Sequence, residues 1–247
     1  MGDQAVIGVD IGGTGIKVAP VDTEKGTLTS ERIRVLTPQP ATPEAIAASV
    51  AEVLGELGVP GPVGITLPSV VRHGIVETAA NIDKSWIGTA AEDLFSAATG
   101  RSVGVVNDAD AAGIAEMKFG AGRGHGGVVL MVTLGTGIGS GLFVDGVLVP
   151  NSELGHLPLH QKDAEHYAAE SARERDDLSW KEWAQRLQEY LDLLESLLWP
   201  ELFIIGGGVS RQSDRYLPLI QTRTPIVPAQ LHNDAGIVGA ALFAPTE

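Results

Sequence analysis

The chain contains no cysteine, which removes disulfides, thiolate metal centres and a cysteine nucleophile together. Basic residues are scarce, 17 lysines and arginines against 31 aspartates and glutamates, for a formal charge of -14. Such a molecule repels itself and has no bulk attraction for nucleic acid or anionic membrane, so neither is an expected partner. Any polyanion must be met by locally placed cations. No run reaches the roughly 18 apolar residues that span a bilayer. The opening MGDQAVIGVD lacks the basic region and long apolar stretch of a secretion signal. Met1-Gly2 starts like a myristoylation site but has no Ser or Thr at the sixth position. The expected location is cytoplasmic. What is present is 247 residues, 44% of them hydrophobic, enough to bury one large core or two smaller ones.

The apolar runs set out an α/β order. Ala5 to Val9, Ile16 to Val21 and Thr27 to Leu36 read as a strand meander. Helical spacing from Ala45 to Leu57 follows a proline-rich stretch and stops near Gly58. A buried strand, Val63 to Leu67, precedes a second helix around Gly88 to Ala98; the strand Val103 to Val106 then runs straight into the helical N-D-A-D-A-A-G. The opening pattern returns at Val128 to Leu134, a glycine turn, Ser140 to Val144 and a hairpin at Asp145-Gly146. The tetrapeptide G-T-G-I occurs at Gly13 to Ile16 and again at Gly135 to Ile138, each time between two apolar strands. This repetition predicts two similar α/β domains.

The second half is more helical. Asp163 to Arg173 and Ser179 to Leu198 have helical spacing, Pro200 ends the latter, and Glu201 to Ile205 is a buried strand leading into G-G-G-V-S. A helix over Arg211 to Leu219, a short strand at Ile226-Val227 and a terminal helix over Asn233 to Phe243 complete the reading. With no low-complexity linker, the domains are expected at 1–108, rejoined by 233–247, and at 109–232.

The glycine turns, Asp10 to Gly15 and Thr133 to Gly139, suit phosphate. Glycine permits positive φ and close backbone approach, consecutive N–H groups form an anion nest, and Thr14 and Thr136 add hydroxyl donors. A Walker loop is excluded because no G-K-[ST] occurs and the chain continues as a strand. A ligand-free tight hairpin is the alternative for either turn. Asp10, at a strand end beside such a nest, is a candidate magnesium partner, directly or through water. Asp108, directly after a buried strand and at a helix start, is placed to act as a base, and a carboxylate there also serves as an N-cap. Glu153 and His156 are three apart, hence on one helical face, and offer acceptors and a donor for a polyol.

These motifs carry a resemblance. D-I-G-G-T-G, T-L-G-T-G-I-G, N-D-A-D-A-A-G, E-L-G-H at Glu153 to His156 and I-I-G-G-G-V-S are similar to those of the ROK family of sugar kinases and repressors. A-A-N-I-D-K-S-W-I-G-T, T-P-Q-P-A-T-P-E, R-T-P-I-V-P-A and A-G-I-V-G-A-A look like its branch that uses inorganic polyphosphate. The resemblance implies a duplicated actin-like ATPase (ribonuclease H-like) fold with an interdomain cleft. It also implies transfer of a phosphoryl group from polyphosphate or ATP, with magnesium, to the 6-hydroxyl of glucose or mannose. Asp108 becomes the catalytic base; Asn107, Glu153, His156 and, across a gap, Glu165 become sugar contacts, with Asn81 and Thr66 to Ser69 lining the pocket. Asp10, Gly12, Gly13, Thr14, Gly15, Lys17, Thr133, Gly135, Thr136, Gly137, Gly207 and Gly208 become the donor cradle. Apart from the resemblance, a polyanion on so acidic a chain needs local cations; Lys17, Lys84, Arg123 and His125 are the candidates, and a solvated surface charge is the alternative for each. Repressor members carry an N-terminal helix-turn-helix, and a strand starting by Ala5 leaves no room for one. Most of the kinases have a zinc-binding cysteine cluster where this chain has L-P-L-H-Q-K-D-A-E-H, so zinc is not expected. The expected assembly is a homodimer. An ATP-only hexose or N-acyl hexosamine kinase, and a sugar sensor without turnover, are the alternative readings.

Overall fold

The alternating apolar runs at the N-terminus form a mixed sheet. The computed structural model describes residues 5–79 and 82–246. In it the chain divides into two units, Met1–Ala115 with Asp234–Glu247, and Glu116–Asn233. In the first unit β1 (Val6–Ile11), β2 (Ile16–Asp22) and β3 (Thr27–Leu28) form an antiparallel meander, and β4 (Ile33–Val35) also pairs with β2. Helix α1 (Pro43–Leu57) starts at Thr42, whose hydroxyl accepts from Ala45 N–H at 3.3 Å, with Pro43 in the first turn, and ends at the left-handed Gly58. Then follow β5 (Val63–Leu67), the small hairpin β6 (Val71–Arg72) and β7 (Ile75–Val76), α2 (Ala91–Thr99), β8 (Val103–Asn107) and α3 (Asp108–Phe119). Strands β1, β5 and β8 run parallel, and β5 and β8 are buried along their whole length, as expected for strands covered on both faces.

The second unit repeats this plan. An antiparallel meander, β9 (Val128–Leu134), β10 (Ile138–Val144) and β11 (Val147–Val149), is followed by the hairpin β12 (Pro158–Leu159) and β13 (Lys162–Asp163). Helices α4 (Ala164–Ala168), α5 (Glu170–Arg175) and α6 (Trp180–Leu198) come before β14 (Leu202–Gly206) and β15 (Ile226–Pro228). The sheet orders are β3-β2-β1-β5-β8 and β11-β10-β9-β14-β15. Each is a meander joined through its first strand to two parallel strands. The G-T-G-I repeat therefore marks equivalent turns, β1 to β2 and β9 to β10.

Side chains on α6 decide the second core. Trp183, Leu187, Tyr190, Leu191 and Leu194 are fully buried along one stripe, each large apolar side chain contributing about 1.5–3 kcal/mol. A capping box between Ser179 and Glu182 starts the helix, and Pro200 follows its left-handed end at Trp199.

Three elements depart from the periodicity. The strand expected over Thr27 to Leu36 is broken into β3 and β4. The helix expected from Asp163 breaks at Ala169, which is extended (φ -62°, ψ 162°) while Trp183 Nε1 donates to the Ala168 and Ala169 carbonyls. The segment from Arg211 is 3₁₀, with Gln212 non-helical and Pro218 inside the next turn.

The last helix, α7 (Ala235–Leu242), returns to the first unit. It lies on a row of glycines, Gly8, Gly64 and Gly104, that are cross-strand neighbours on β1, β5 and β8. A methyl group on each would run into the carbonyls of Ile237, Ala240 and Phe243 respectively. The start of α7 consequently reaches the end of β1, where a methyl group on Gly236 would lie 2.9 Å from Asp10 Cγ.

Candidate active site

In the first unit, β1 ends on Asp10 and the turn that follows carries it into an ion pair. Lys17 Nζ lies 2.7 Å from Asp10 Oδ2, across the register pair of β1 and β2. Thr66 Oγ donates to Asp10 Oδ1 at 3.1 Å and accepts the Ile11 N–H at 3.2 Å. The lysine expected to face donor phosphates thus shares its charge with Asp10. Gly12 N–H closes the turn on the Gly15 carbonyl at 3.0 Å, so this N–H is spent internally. The left-handed backbone that glycine permits is not used at Gly12, Gly15, Gly135 and Gly137. At Gly15 the requirement is space: the Arg34 side chain lies over it, and Thr37 Oγ donates to the Gly12 carbonyl at 2.6 Å. Arg34 is not marked by the sequence, because β4 is too short for its alternation to show, and Thr37 enters only as the first residue of T-P-Q-P-A-T-P-E. Gly13 and Thr14 are exposed.

At the end of β8 the cap is Asn107, not Asp108. Asn107 Oδ1 accepts the N–H groups of Ala109 and Asp110 at 2.8 and 3.1 Å, and its Nδ2 donates to the Ser69 carbonyl at 3.1 Å. One Nδ2 hydrogen remains for a sugar. Asp108, next along, is half-buried, and its Oδ1 accepts the N–H of its neighbour Ala109 at 2.8 Å. Beside Asn107, the hydroxyl of the 3% exposed Ser69 has no hydrogen-bond partner among the described residues, an orphan that a ligand hydroxyl or water satisfies. Asn81 lies outside the described residues.

In the second unit Ile138, the first residue of β10, meets Glu165 and the E-L-G-H turn. Its N–H donates to Glu165 Oε2 at 3.3 Å. A methyl group on Gly155 would collide with its carbonyl, and one on Gly137 would collide with the Glu165 carboxylate. These glycines are spaces cut for the E-L-G-H turn and for α4. Ser140 and Ser152 fasten the same turn: Ser152 Oγ donates to the Ser140 carbonyl at 3.2 Å and Ser140 Oγ accepts the Leu154 N–H at 3.0 Å.

The expected shared face of Glu153 and His156 is present, with Nε2 3.6 Å from Glu153 Oε2. Asp163, not foreseen, holds His156 Nδ1 at 3.0 Å. Lost hydration raises the Glu153 pKa above the usual carboxylate value; His156 works against this and Glu165 with it. Burial alone lowers the His156 pKa, but the Asp163 hydrogen bond and the charges of Glu165 and Glu153 outweigh it and leave it raised. His156, Asp163 and Glu165 offer one ligand atom each, all within 4.8 Å of one another. Two of these three residues, His156 and Glu165, are expected to meet a sugar. His160 faces away from it, on Glu189.

The expected donor loop sits against the second glycine turn. Gly207 is left-handed (φ 83°), and a methyl group there would strike the Leu134 carbonyl. Gly208 opens the 3₁₀ segment, about one side chain away from Glu170. Ser171 N–H donates to the Gly135 carbonyl at 3.0 Å and its hydroxyl to the Thr136 carbonyl at 2.6 Å, while Gly135 N–H turns back to the Gly137 carbonyl at 3.1 Å. The N–H groups of Gly135 and Ile138 are thus committed, and the open donors are fewer than the sequence suggests. The exposed Thr136 and half-buried Thr133 keep unbonded hydroxyls among the described residues. Lys84, Arg123 and His125 are exposed.

Comparison with known proteins identifies the family. A model of the ROK family matches residues 6–167. The chain is 52% identical over 236 residues to the polyphosphate glucokinase of Mycobacterium tuberculosis, covering 95% of this chain and 89% of that one. It superposes with a TM-score of 0.94 on the inorganic polyphosphate/ATP-glucomannokinase of Arthrobacter sp. strain KM, at 56% identity and over 97% and 98% of the two chains. A ROK family glucokinase from Streptomyces griseus, solved in complex with glucose and AMPPNP, gives a TM-score of 0.83 at 30% identity over 97% and 99%. The chain belongs to the ROK family and has the actin-like fold of its sugar kinases.

Proposed function

We propose that this protein is a glucokinase that takes its phosphoryl group from inorganic polyphosphate or ATP and gives glucose 6-phosphate. The observation that carries this reading is its 52% identity, along 95% of the chain, to a polyphosphate glucokinase. In the mechanism we assign, the Asp108 carboxylate takes the proton of the sugar's 6-hydroxyl as that oxygen attacks the terminal phosphorus. The phosphoanhydride bond breaks, and ADP or a polyphosphate shorter by one unit leaves. A positioned base contributes about 10² to 10⁴ in rate. In the first unit we assign the Thr14 hydroxyl to the donor, and the remaining Asn107 N–H and the Ser69 hydroxyl to the sugar. In the second we assign Glu153 and Glu165 as acceptors of sugar hydroxyls, His156 as a donor to one, the Thr136 hydroxyl to the donor, and Gly207 and Gly208 as room for a nucleotide.

Magnesium fits Asp10. This ion is commonly held by one or two carboxylates together with substrate phosphates and water, and a carboxylate engaged by one lysine and one hydroxyl retains free lone pairs. When bound, the ion offsets charge on the transferring phosphate. We assign no zinc: the turn that a cysteine cluster holds in other kinases is held here by Ser140, Ser152 and Asp163. Stoichiometric zinc in the purified protein would contradict this assignment. Mannose is the second sugar we assign, and a cytoplasmic homodimer the setting that the family resemblance favours.

A matrix of donors and sugars tests the reading. Glucose with either polyphosphate or ATP, plus magnesium, is expected to give hexose 6-phosphate, and EDTA to abolish it. Turnover with ATP alone, or with N-acetylhexosamines in preference to glucose, identifies an ATP-only relative. Glucose binding with no product from any donor identifies a sensor.

A further inference from the structure

The cation that the first glycine turn presents to a donor is not its own lysine. Lys17 is neutralised by Asp10 at 2.7 Å. Its cross-strand partner on β4 is Arg34, and the Arg34 side chain lies against the turn itself. A methyl group on Gly15 would sit 2.9 Å from its Nε and 3.1 Å from Nη2, so the space left by this glycine is filled by a guanidinium. Two residues earlier, Arg32 spends its charge on Asp234 at 2.8 Å. Arg34 is exposed and has no ion pair or hydrogen bond among the described residues.

The segment that carries Arg34 is tied down on both sides of the turn. Thr37 donates to the Gly12 carbonyl at 2.6 Å, and Trp86, fully buried, donates its indole N–H to the Ala41 carbonyl at 2.9 Å. The stretches R-V-L-T-P-Q-P-A and I-D-K-S-W are thereby one clasp, which holds the backbone that carries Arg34 beside a phosphate-type turn. A guanidinium presents paired donors that match two phosphate oxygens, is always charged, and gives up less freedom when fixed in place than when free.

We propose that Arg34 is a donor-recognition residue that grips the phosphoanhydride oxygens seated at the first glycine turn. This rests on the reading of that turn as a donor cradle. The grip is on the phosphates that ATP and polyphosphate have in common, so both donors depend on it.

The test uses the full-length protein. Wild type is first assayed with glucose, magnesium and each donor; absence of product there sinks the kinase reading and is distinguishable from any result on Arg34. Arg34→Gln and Arg34→Lys are then compared. The expected result is a loss of about tenfold or more in kcat/KM for both ATP and tripolyphosphate in Arg34→Gln, partial recovery in Arg34→Lys, and a glucose dissociation constant within twofold of wild type by calorimetry. Tripolyphosphate binding to Arg34→Gln is also expected to show a weaker dependence on salt than wild type, which a purely packing role for Arg34 does not produce. Donor kcat/KM within twofold of wild type, a loss confined to one donor, or parallel losses of glucose affinity and melting temperature in both variants would overturn the assignment. If Arg34→Gln does not fold, Arg34→Lys with the salt series decides the matter alone: an unchanged salt dependence and unchanged donor kinetics reject it.

Discussion

The two glycine turns occupy equivalent places in equivalent sheets, yet their surroundings are opposite. The first is flanked by Lys17, Arg34 and the start of α7, with one carboxylate, Asp10, bound into an ion pair. The second is flanked by Glu165 on the Ile138 N–H, by Ser171 and by the E-L-G-H turn packed on the Ile138 carbonyl. The backbone plan supplies a hairpin and two parallel strands in each case. The side chains differ, with cations beside one copy and a carboxylate on the backbone of the other. Duplication thus explains the scaffold, and the chemistry lies in the few residues where the copies differ.

The largest expected effect belongs to a residue at neither turn. Asp108→Asn keeps a hydrogen-bonding group at the end of β8 but removes the proton acceptor, and kcat is expected to fall by about 10² to 10⁴. Glucose affinity and melting temperature are expected to stay close to wild type, because the helix cap is Asn107. Retention of more than roughly a tenth of kcat removes Asp108 from the role of base.

A division of labour between the two turns is tested at the second. Glu153→Gln is expected to weaken glucose binding by on the order of 10- to 100-fold, the worth of a charged hydrogen bond, with a much smaller change in donor KM. Equal damage to donor and sugar in calorimetry and kinetics would erase the contrast between the turns.

A smaller effect separates two glycines of one turn. A methyl group at Gly135 meets nothing within 4 Å, whereas one at Gly137 collides with the Glu165 carboxylate. Gly137→Ala should therefore cost about 1–3 kcal/mol, the range for overpacking, and weaken glucose binding as Glu165 is displaced. Gly135→Ala should leave both near wild type in thermal melts and calorimetry. Matching behaviour of the two variants breaks the idea that glycine here serves as space for Glu165.

The smallest effect is electrostatic. The raised pKa of His156 means the folded protein holds this proton more tightly than the unfolded chain, whose value is near 6.5. Its stabilisation is complete below that value and is lost as pH rises through the raised one. The side chain is 48% exposed, so the contribution is under about 1 kcal/mol. The melting-temperature advantage of wild type over His156→Gln is expected at about pH 6 and to shrink by about pH 9. An advantage that grows with pH has the wrong sign.

Much of this organisation is legible in the sequence. The repeat G-T-G-I, the apolar strands around it, the Thr42 to Gly58 helix and the capped stripe of α6 are short-range signals, and each appears where its pattern falls. Glu153, His156 and Glu165 come from motif spacing and resemblance; Glu165 lies on the Ile138 N–H, and the turn that carries Glu153 and His156 packs Gly155 on the Ile138 carbonyl. What was hidden is long-range. Gly8, Gly64 and Gly104 read as ordinary strand glycines until their register places them under α7. Asp163 acquires meaning only from His156 across the β12–β13 hairpin, and Arg34 only from the Gly15 turn that it covers. The internal hydrogen bonds that close the glycine turns also escape the sequence, which displays every N–H as available.

The most direct measurement of the central claim follows phosphorus by NMR in a mixture of the pure protein, glucose, magnesium and long-chain polyphosphate, with no nucleotide present. A resonance of glucose 6-phosphate that grows with time as polyphosphate is consumed, and that Asp108→Asn abolishes, is the predicted result. Unchanged polyphosphate and no phosphate ester, from protein that forms the ester readily when ATP is added, would contradict polyphosphate as a donor.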